Sequence, residues 1–161
     1  MQWSAGRGQR PGWFPRAILP RVRIDRPAEF TVTVERSRFY ALLTPLVSPE
    51  TMEALLKARR RDYRKAVHHC WAYRWRDAAG AAAEMSKDDG EVGHPGRVLL
   101  ELMKKHDLEG ALIVSRIFGG VKLGVGGVSR AFRGAGQGAI NRMLGAVPGR
   151  TTSPRPPPTR T

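Results

Sequence analysis

Ala111-Leu-Ile-Val-Ser-Arg-Ile-Phe118 runs without a break into Gly119-Gly-Val-Lys-Leu-Gly-Val-Gly-Gly-Val-Ser-Arg130, and this stretch decides the fold. A short, mostly apolar run that ends in glycines has the length and composition of a central strand. The glycines then turn the chain. Val128, Ala131, Phe132, Ala135 and Ala139 recur at helical spacing and predict a helix over about 128–144. Gly134, Gly136 and Gly138 weaken that helix by roughly 1 kcal/mol each relative to Ala, unless they mark close packing on the sheet.

Working toward the N-terminus, 97–106 reads as a helix burying Leu99, Leu102 and Met103, and 77–96 reads as a loop. The segment 66–75 is a strand. Ser48-Pro49-Glu50 has the signature of a helix start, with Ser as N-cap, and Met52, Leu55 and Leu56 give that helix an apolar face. Residues 39–46 form a strand, and Phe30-Thr-Val-Thr-Val-Glu35 alternates with period two as its hairpin partner. The order β-β-α-β-α-β-α predicts an α+β two-layer sandwich, with a mixed four-stranded sheet and helices on one face.

Outside this pattern the composition changes. Residues 1–28 are rich in Pro, Gly and Arg, and 146–161 end in a Pro-rich run. Both read as disordered extensions of a domain over 29–145. Residues 1–38 hold eight Arg against three acids, and 133–161 hold five Arg and no acid, so the flanks carry most of the net +14. Such tails attract polyanions without specificity, and salt weakens the attraction. No apolar run reaches the roughly 18–20 residues of a membrane helix. Prolines 11, 15 and 20 interrupt any signal peptide. The single Cys70 excludes an internal disulfide framework and fits a reducing compartment, so a cytoplasmic location without membrane contact is expected.

Three segments invite chemistry. The glycine turn, with Gly119, Gly120, Gly124, Gly126, Gly127, Lys122 and Arg130, suits an anion at a helix N-terminus or a tight strand-to-helix crossover. Its spacing fits neither the P-loop nor the dinucleotide fingerprint. Asp88, Asp89 and Glu91 of Asp-Asp-Gly-Glu are oxygen donors for a hard cation, or they orient Arg and cap the next helix. His68-His69-Cys70-Trp71-Ala72-Tyr73-Arg74 puts His68, Cys70 and Ala72 on one strand face and His69, Trp71 and Tyr73 on the other. No compact zinc set results. Trp71, Tyr73 and Arg74 either stack on single-stranded RNA or pack in the core.

Together, Arg36-Ser37-Arg38-Phe39, His69 to Arg74, Asp88 to Glu91 and Arg116-Ile-Phe-Gly-Gly-Val-Lys-Leu-Gly124 resemble the IMPACT/YigZ family over about 34–140. That resemblance implies a ribosomal-protein-S-five domain-two-like fold. Ile117 stands where the family usually has an aromatic, and the loop after Glu91, Val-Gly-His-Pro-Gly, is shorter than in many bacterial members. The ferredoxin-like second domain of bacterial members and the RWD domain of eukaryotic ones are expected to be missing. The expected function is a non-catalytic binding or regulatory module linked to translation or its stress control. RNA, the ribosome or another anionic partner would meet Arg36, Arg38, His69, Arg74, Arg116, Lys122, Arg130 and the glycines. No cofactor and no metal are expected. The alternatives are a protein–protein regulator of a translation factor or stress kinase, and an enzyme acting on a phosphorylated small molecule.

Overall fold

The structure is a computed structural model that describes residues 22–145. Its described residues form strands β1 (Val22–Arg23), β2 (Ala28–Val34), β3 (Ser37–Thr44), β4 (His68–Arg76), β5 (Ala82–Lys87) and β6 (Leu108–Ile117). The helices are α1 (Met52–Asp62), α2 (Pro95–Lys105) and α3 (Gly124–Leu144). Nine of the ten residues of β6 are buried, as a central strand demands. The sheet order is β2-β3-β6-β4-β5, antiparallel throughout, with β1 added parallel to the start of β6.

Strand alternation sorts the core into two layers. Phe39, Ala41, Leu43, Cys70, Ala72, Leu112 and Val114 face α2 and α3, where they meet Leu99, Leu102, Met103, Val128, Phe132 and Ala135. The Phe39 and Phe132 rings pack edge to face at 5.1 Å between centroids. On the opposite face Trp71, Tyr73, Ala111 and Ile113 are covered by Met52 and Leu56 of α1. The glycines of α3 explain its close seat: a Cβ on Gly136 would meet Leu99 at 2.9 Å, and one on Gly138 would collide with the Phe30 ring.

Four expectations need correction. The described residues hold six strands, not four, because β1 lies within the segment read as an extension and β5 within the one read as a loop. Ala-Ala-Glu-Met-Ser-Lys has poor strand propensity and forms only as the sheet edge against β4. The helices lie on both faces, because β6 inserts between β3 and β4 and the β3-α1-β4 connection must cross it. Ser48 has extended backbone and makes no side-chain cap; a 3-10 turn (Pro49–Thr51) precedes α1, and Thr51 Oγ1 donates to the Ser48 carbonyl at 2.6 Å. Finally, α3 begins at Gly124, so the last glycines of the turn are helical.

The packed chain also starts before residue 29. Ile24 is buried in the core, and its N–H donates to the Glu109 carbonyl at 3.2 Å. Ile24→Val is expected to lower stability by about 1 kcal/mol in urea unfolding. A surface substitution at Arg23 serves as the control and should change it little. The expected tail over 146–161 and the extension before residue 22 lie outside the described residues.

Candidate functional site

One end of the sheet gathers four connections. The register sets Arg38 opposite Ile117 and His68 opposite Arg116, so the β2–β3 turn, the 63–67 connection, the 88–94 loop and the glycine turn all emerge there. Gly119 touches the β2–β3 turn so closely that a Cβ would collide with the backbone of Arg36 and Ser37. Its N–H donates to Ser37 Oγ at 3.1 Å. Arg36 is thereby held beside the glycine turn, at a left-handed φ of 65°.

The start of α3 is open. Gly124 has φ 69°, a conformation L side chains rarely adopt, and Leu123 at the N-cap supplies no side-chain bond. Gly124, Val125 and Gly126 are exposed, so first-turn N–H groups lie near solvent at the positive end of the helix dipole. A Cβ on Gly126 would come within 3.1 Å of Arg130 Nη1, which puts that guanidinium over the same turn. Arg36, Arg38, Lys122 and Arg130 are exposed and, among the described residues, form no ion pair. Arg38 stands on the α1 face of β3, the face opposite to Phe39.

Behind this rim lies a buried polar frame. Arg116 Nη1 donates to Glu91 Oε2 at 2.8 Å, with the two side chains only 7% and 4% exposed. The guanidinium also lies 5.5 Å from the Phe39 centroid and 5.6 Å from that of Phe118. The Asp89 carboxylate accepts the His69 N–H at 2.8 Å, and the Asp88 carboxylate accepts the Gly96 N–H of α2 at 2.8 Å. The three carboxylates thus serve three separate partners. Among the described residues no group of three His, Cys, Asp or Glu side chains is arranged to hold a metal ion. Cys70 Sγ donates to the Asp88 carbonyl at 3.1 Å, and burial pushes its thiol pKa up, so it is a poor nucleophile.

His69 is buried on the α1 face, with Nδ1 2.8 Å from Ser115 Oγ. Burial lowers its pKa below 6.5; the Asp89 charge opposes that shift, and Arg60 and Arg59 reinforce it. The unfolded chain therefore takes up the His69 proton first as pH falls. The stability this group contributes is present above the unfolded value near 6.5 and is lost as pH falls through the folded value. Urea midpoints measured from pH 7 to 5 should fall, and the decline should be shallower in His69→Gln.

Other expected site residues lie elsewhere. Arg74 pairs across the strands with Gly110, at the far end of the sheet from Arg116. It is buried and donates to Glu84 at 3.3 Å, to Asp107 at 3.5 Å and to the Met103 carbonyl at 3.4 Å. Trp71 and Tyr73 are stacked and buried under α1, so neither offers a face to RNA. Val92, Phe118, Val121 and Val125 belong to none of the expected site residues, yet they are 41–60% exposed around the glycine turn. Their signal was faint: apolar residues next to glycines in a turn.

Fold and site define a class: an α+β domain in which a buried Arg–Glu pair supports a basic, glycine-lined strand-to-helix turn. The family model described as the Impact N-terminal domain matches residues 35–140, and the chain belongs to the IMPACT family. It is 40% identical over 110 residues to the IMPACT family member in the pol 5'region of Thermus thermophilus, covering 68% of this chain and 58% of that protein. It is 32% identical to the IMPACT family member YvyE of Bacillus subtilis, covering 68% of this chain and 50% of that one. The chain thus spans between half and three fifths of these relatives. The crystal structure of a hypothetical protein superposes with TM-score 0.64 at 29% identity, over 73% of this chain and 58% of that one. The two-domain translational regulator Yih1 superposes with TM-score 0.51 at 26% identity, over 86% and 54%. No helix among the described residues is long and apolar enough to cross a membrane.

Proposed function

We propose that the chain is a non-catalytic binding module of the cytoplasm, acting in translation or its stress control, and that its glycine-turn end holds RNA, the ribosome or another anionic partner. The observation that carries this reading is the gathering of Arg36, Lys122 and Arg130 around the uncapped first turn of α3. Cations and oriented N–H groups together suit phosphate. The likeness to a translational regulator supports the setting in translation.

The Arg-rich flanks would bind RNA at random, so the test separates them from the domain. A form spanning 22–145 should retain salt-sensitive RNA binding in fluorescence anisotropy. Arg36→Gln, Lys122→Gln and Arg130→Gln together should weaken it about tenfold at low salt. Binding that vanishes on trimming, or that ignores these three residues, sinks the reading.

A second reading rests on the exposed Val92, Phe118, Val121 and Val125. Apolar side chains amid cations suit a protein partner with an acidic surface, such as a translation factor or stress kinase. Capture of one defined partner from nuclease-treated lysate, lost in Phe118→Ser, would favour this reading over RNA.

A further inference from the structure

Lys57-Ala-Arg-Arg-Arg-Asp-Tyr-Arg-Lys65 belongs to neither the core nor the glycine-turn end. Met52, Leu56 and Arg59 turn inward from α1, and Arg59 is sealed beneath it, donating to Glu29 at 3.5 Å and to the Tyr40 carbonyl at 3.0 Å. Lys57, Arg60 and Arg61 are left outside on the helix, and Arg64 and Lys65 follow exposed in the connection to β4. Lys87 is exposed on the same side: it pairs with Trp71, whose face of the sheet is the one α1 covers. Six cations from α1, its connection and β5 therefore share one side of the molecule.

Little nearby neutralises them. Arg60 pairs with Glu53 at 3.2 Å and Arg61 with Asp62 at 3.5 Å, both in solvent, where such pairs contribute little. Among the described residues Lys57, Arg64, Lys65 and Lys87 form no ion pair. Basic residues in the last turn of a helix complement its dipole. That accounts for Arg60 and Arg61 but not for Arg64, Lys65 or Lys87, which lie off the helix. Lys57 and Arg61 stand four apart with like charge, a spacing that weakens an isolated helix.

We propose that this stripe is a second binding surface, distinct from the glycine-turn end, that grips the phosphate backbone of double-helical RNA. From Lys57 to Asp62 the helix rises about 7.5 Å, and Arg64 and Lys65 carry the run on to roughly 10 Å. At roughly 3 Å of axis per phosphate of a duplex strand, that distance meets about three phosphates of one strand. Arginine forks match phosphate oxygens bidentately. Bases have nothing to stack on, because Tyr40 stacks on Tyr63 at 4.5 Å and Trp71 stacks on Tyr73 at 5.8 Å. The contact is therefore with backbone. An acidic protein fits less well, because no apolar side chain is exposed between positions 57 and 65, and the exposed Val67 and Met85 stand singly rather than as a dry centre.

The test uses the full chain and an RNA duplex of about 16 base pairs, with affinity followed against salt. Neutralising Lys57, Arg60, Arg61, Arg64 and Lys65 to Gln should weaken binding at least tenfold. It should also flatten the slope of log K against log salt by about 2 to 3, roughly 0.9 per phosphate released. Arg36→Gln, Lys122→Gln and Arg130→Gln should leave this part of the slope intact, which separates this surface from the glycine-turn end. Arg64→Glu with Lys65→Glu lies outside the helix and reads the same surface should the larger variant unfold. An unchanged slope in a variant with wild-type melting overturns the proposal. So does polyglutamate that displaces the duplex at matched charge, since that assigns the stripe to an acidic protein.

Discussion

Glu91→Ala is expected to cost the domain about 3–5 kcal/mol, a large share of the roughly 5–15 kcal/mol that holds a typical domain folded. The carboxylate it removes is the ion-pair partner of an Arg116 guanidinium that is almost wholly out of water. Arg116 Nε already lacks a hydrogen-bond partner, so no spare acceptor stands by to take the charge. Water must reach Arg116, and the route lies through the 88–94 loop. That loop also carries Asp88, which holds the Gly96 N–H of α2, and Gly93, whose carbonyl accepts a hydrogen bond from Ser129 of α3 at 3.3 Å. The damage therefore spreads to the start of two helices. Arg116→Met alone leaves Glu91 buried and should cost a similar amount. The pair Glu91→Leu with Arg116→Met should recover most of the loss, because apolar residues of similar volume replace a buried ion pair at little or no net cost. Urea unfolding of the wild type, Glu91→Leu, Arg116→Met and their pair gives the coupling energy. A loss below about 1 kcal/mol in the single variants would mean that the pair is solvated, as surface ion pairs are.

How far the sequence could be read differs from element to element. Helices α2 and α3 and strands β3, β4 and β6 carry their periods openly, and each forms within a few residues of its expected bounds. Strand β5 carries none, since an edge strand of Ala, Glu, Ser and Lys is made by its neighbour rather than by its own propensity. The side taken by α1 was illegible for another reason. It depends on β6 entering between β3 and β4, a long-range pairing that no local pattern encodes. In the site, neither the pairing of Arg116 with Glu91 nor the depth of both was legible, because local pattern does not reveal how far the end of a strand is covered. Arg74 is among the residues expected to meet the anionic partner, yet it shares strand parity with Cys70 and Ala72, and that parity turns it to the buried face.

Gly119→Ala should destabilise the domain by about 3 kcal/mol, the upper end for overpacking, and should also weaken RNA binding at the glycine-turn end. The obstacle is backbone. A methyl at Gly119 would meet the carbonyl of Arg36 and the nitrogen of Ser37, neither of which can swing aside as a side chain can. Relief requires the β2–β3 turn to lift, which breaks the Gly119 N–H bond to Ser37 Oγ and carries Arg36 away from Lys122 and Arg130. Gly120 and Gly124 are the comparison. A Cβ at either meets nothing within 4 Å, so their alanine variants bear only the strain of a positive φ, about 1 kcal/mol. Thermal unfolding should rank Gly119→Ala well below both. Ser37→Ala keeps the space but removes the hydroxyl, so it tests the hydrogen bond alone and should cost about 1 kcal/mol. If Gly119→Ala melts with Gly120→Ala and binds RNA as the wild type does, the two turns are not in contact in solution. Arg36 then has no fixed place beside the start of α3, and the anion site proposed for this end loses one of its three cations.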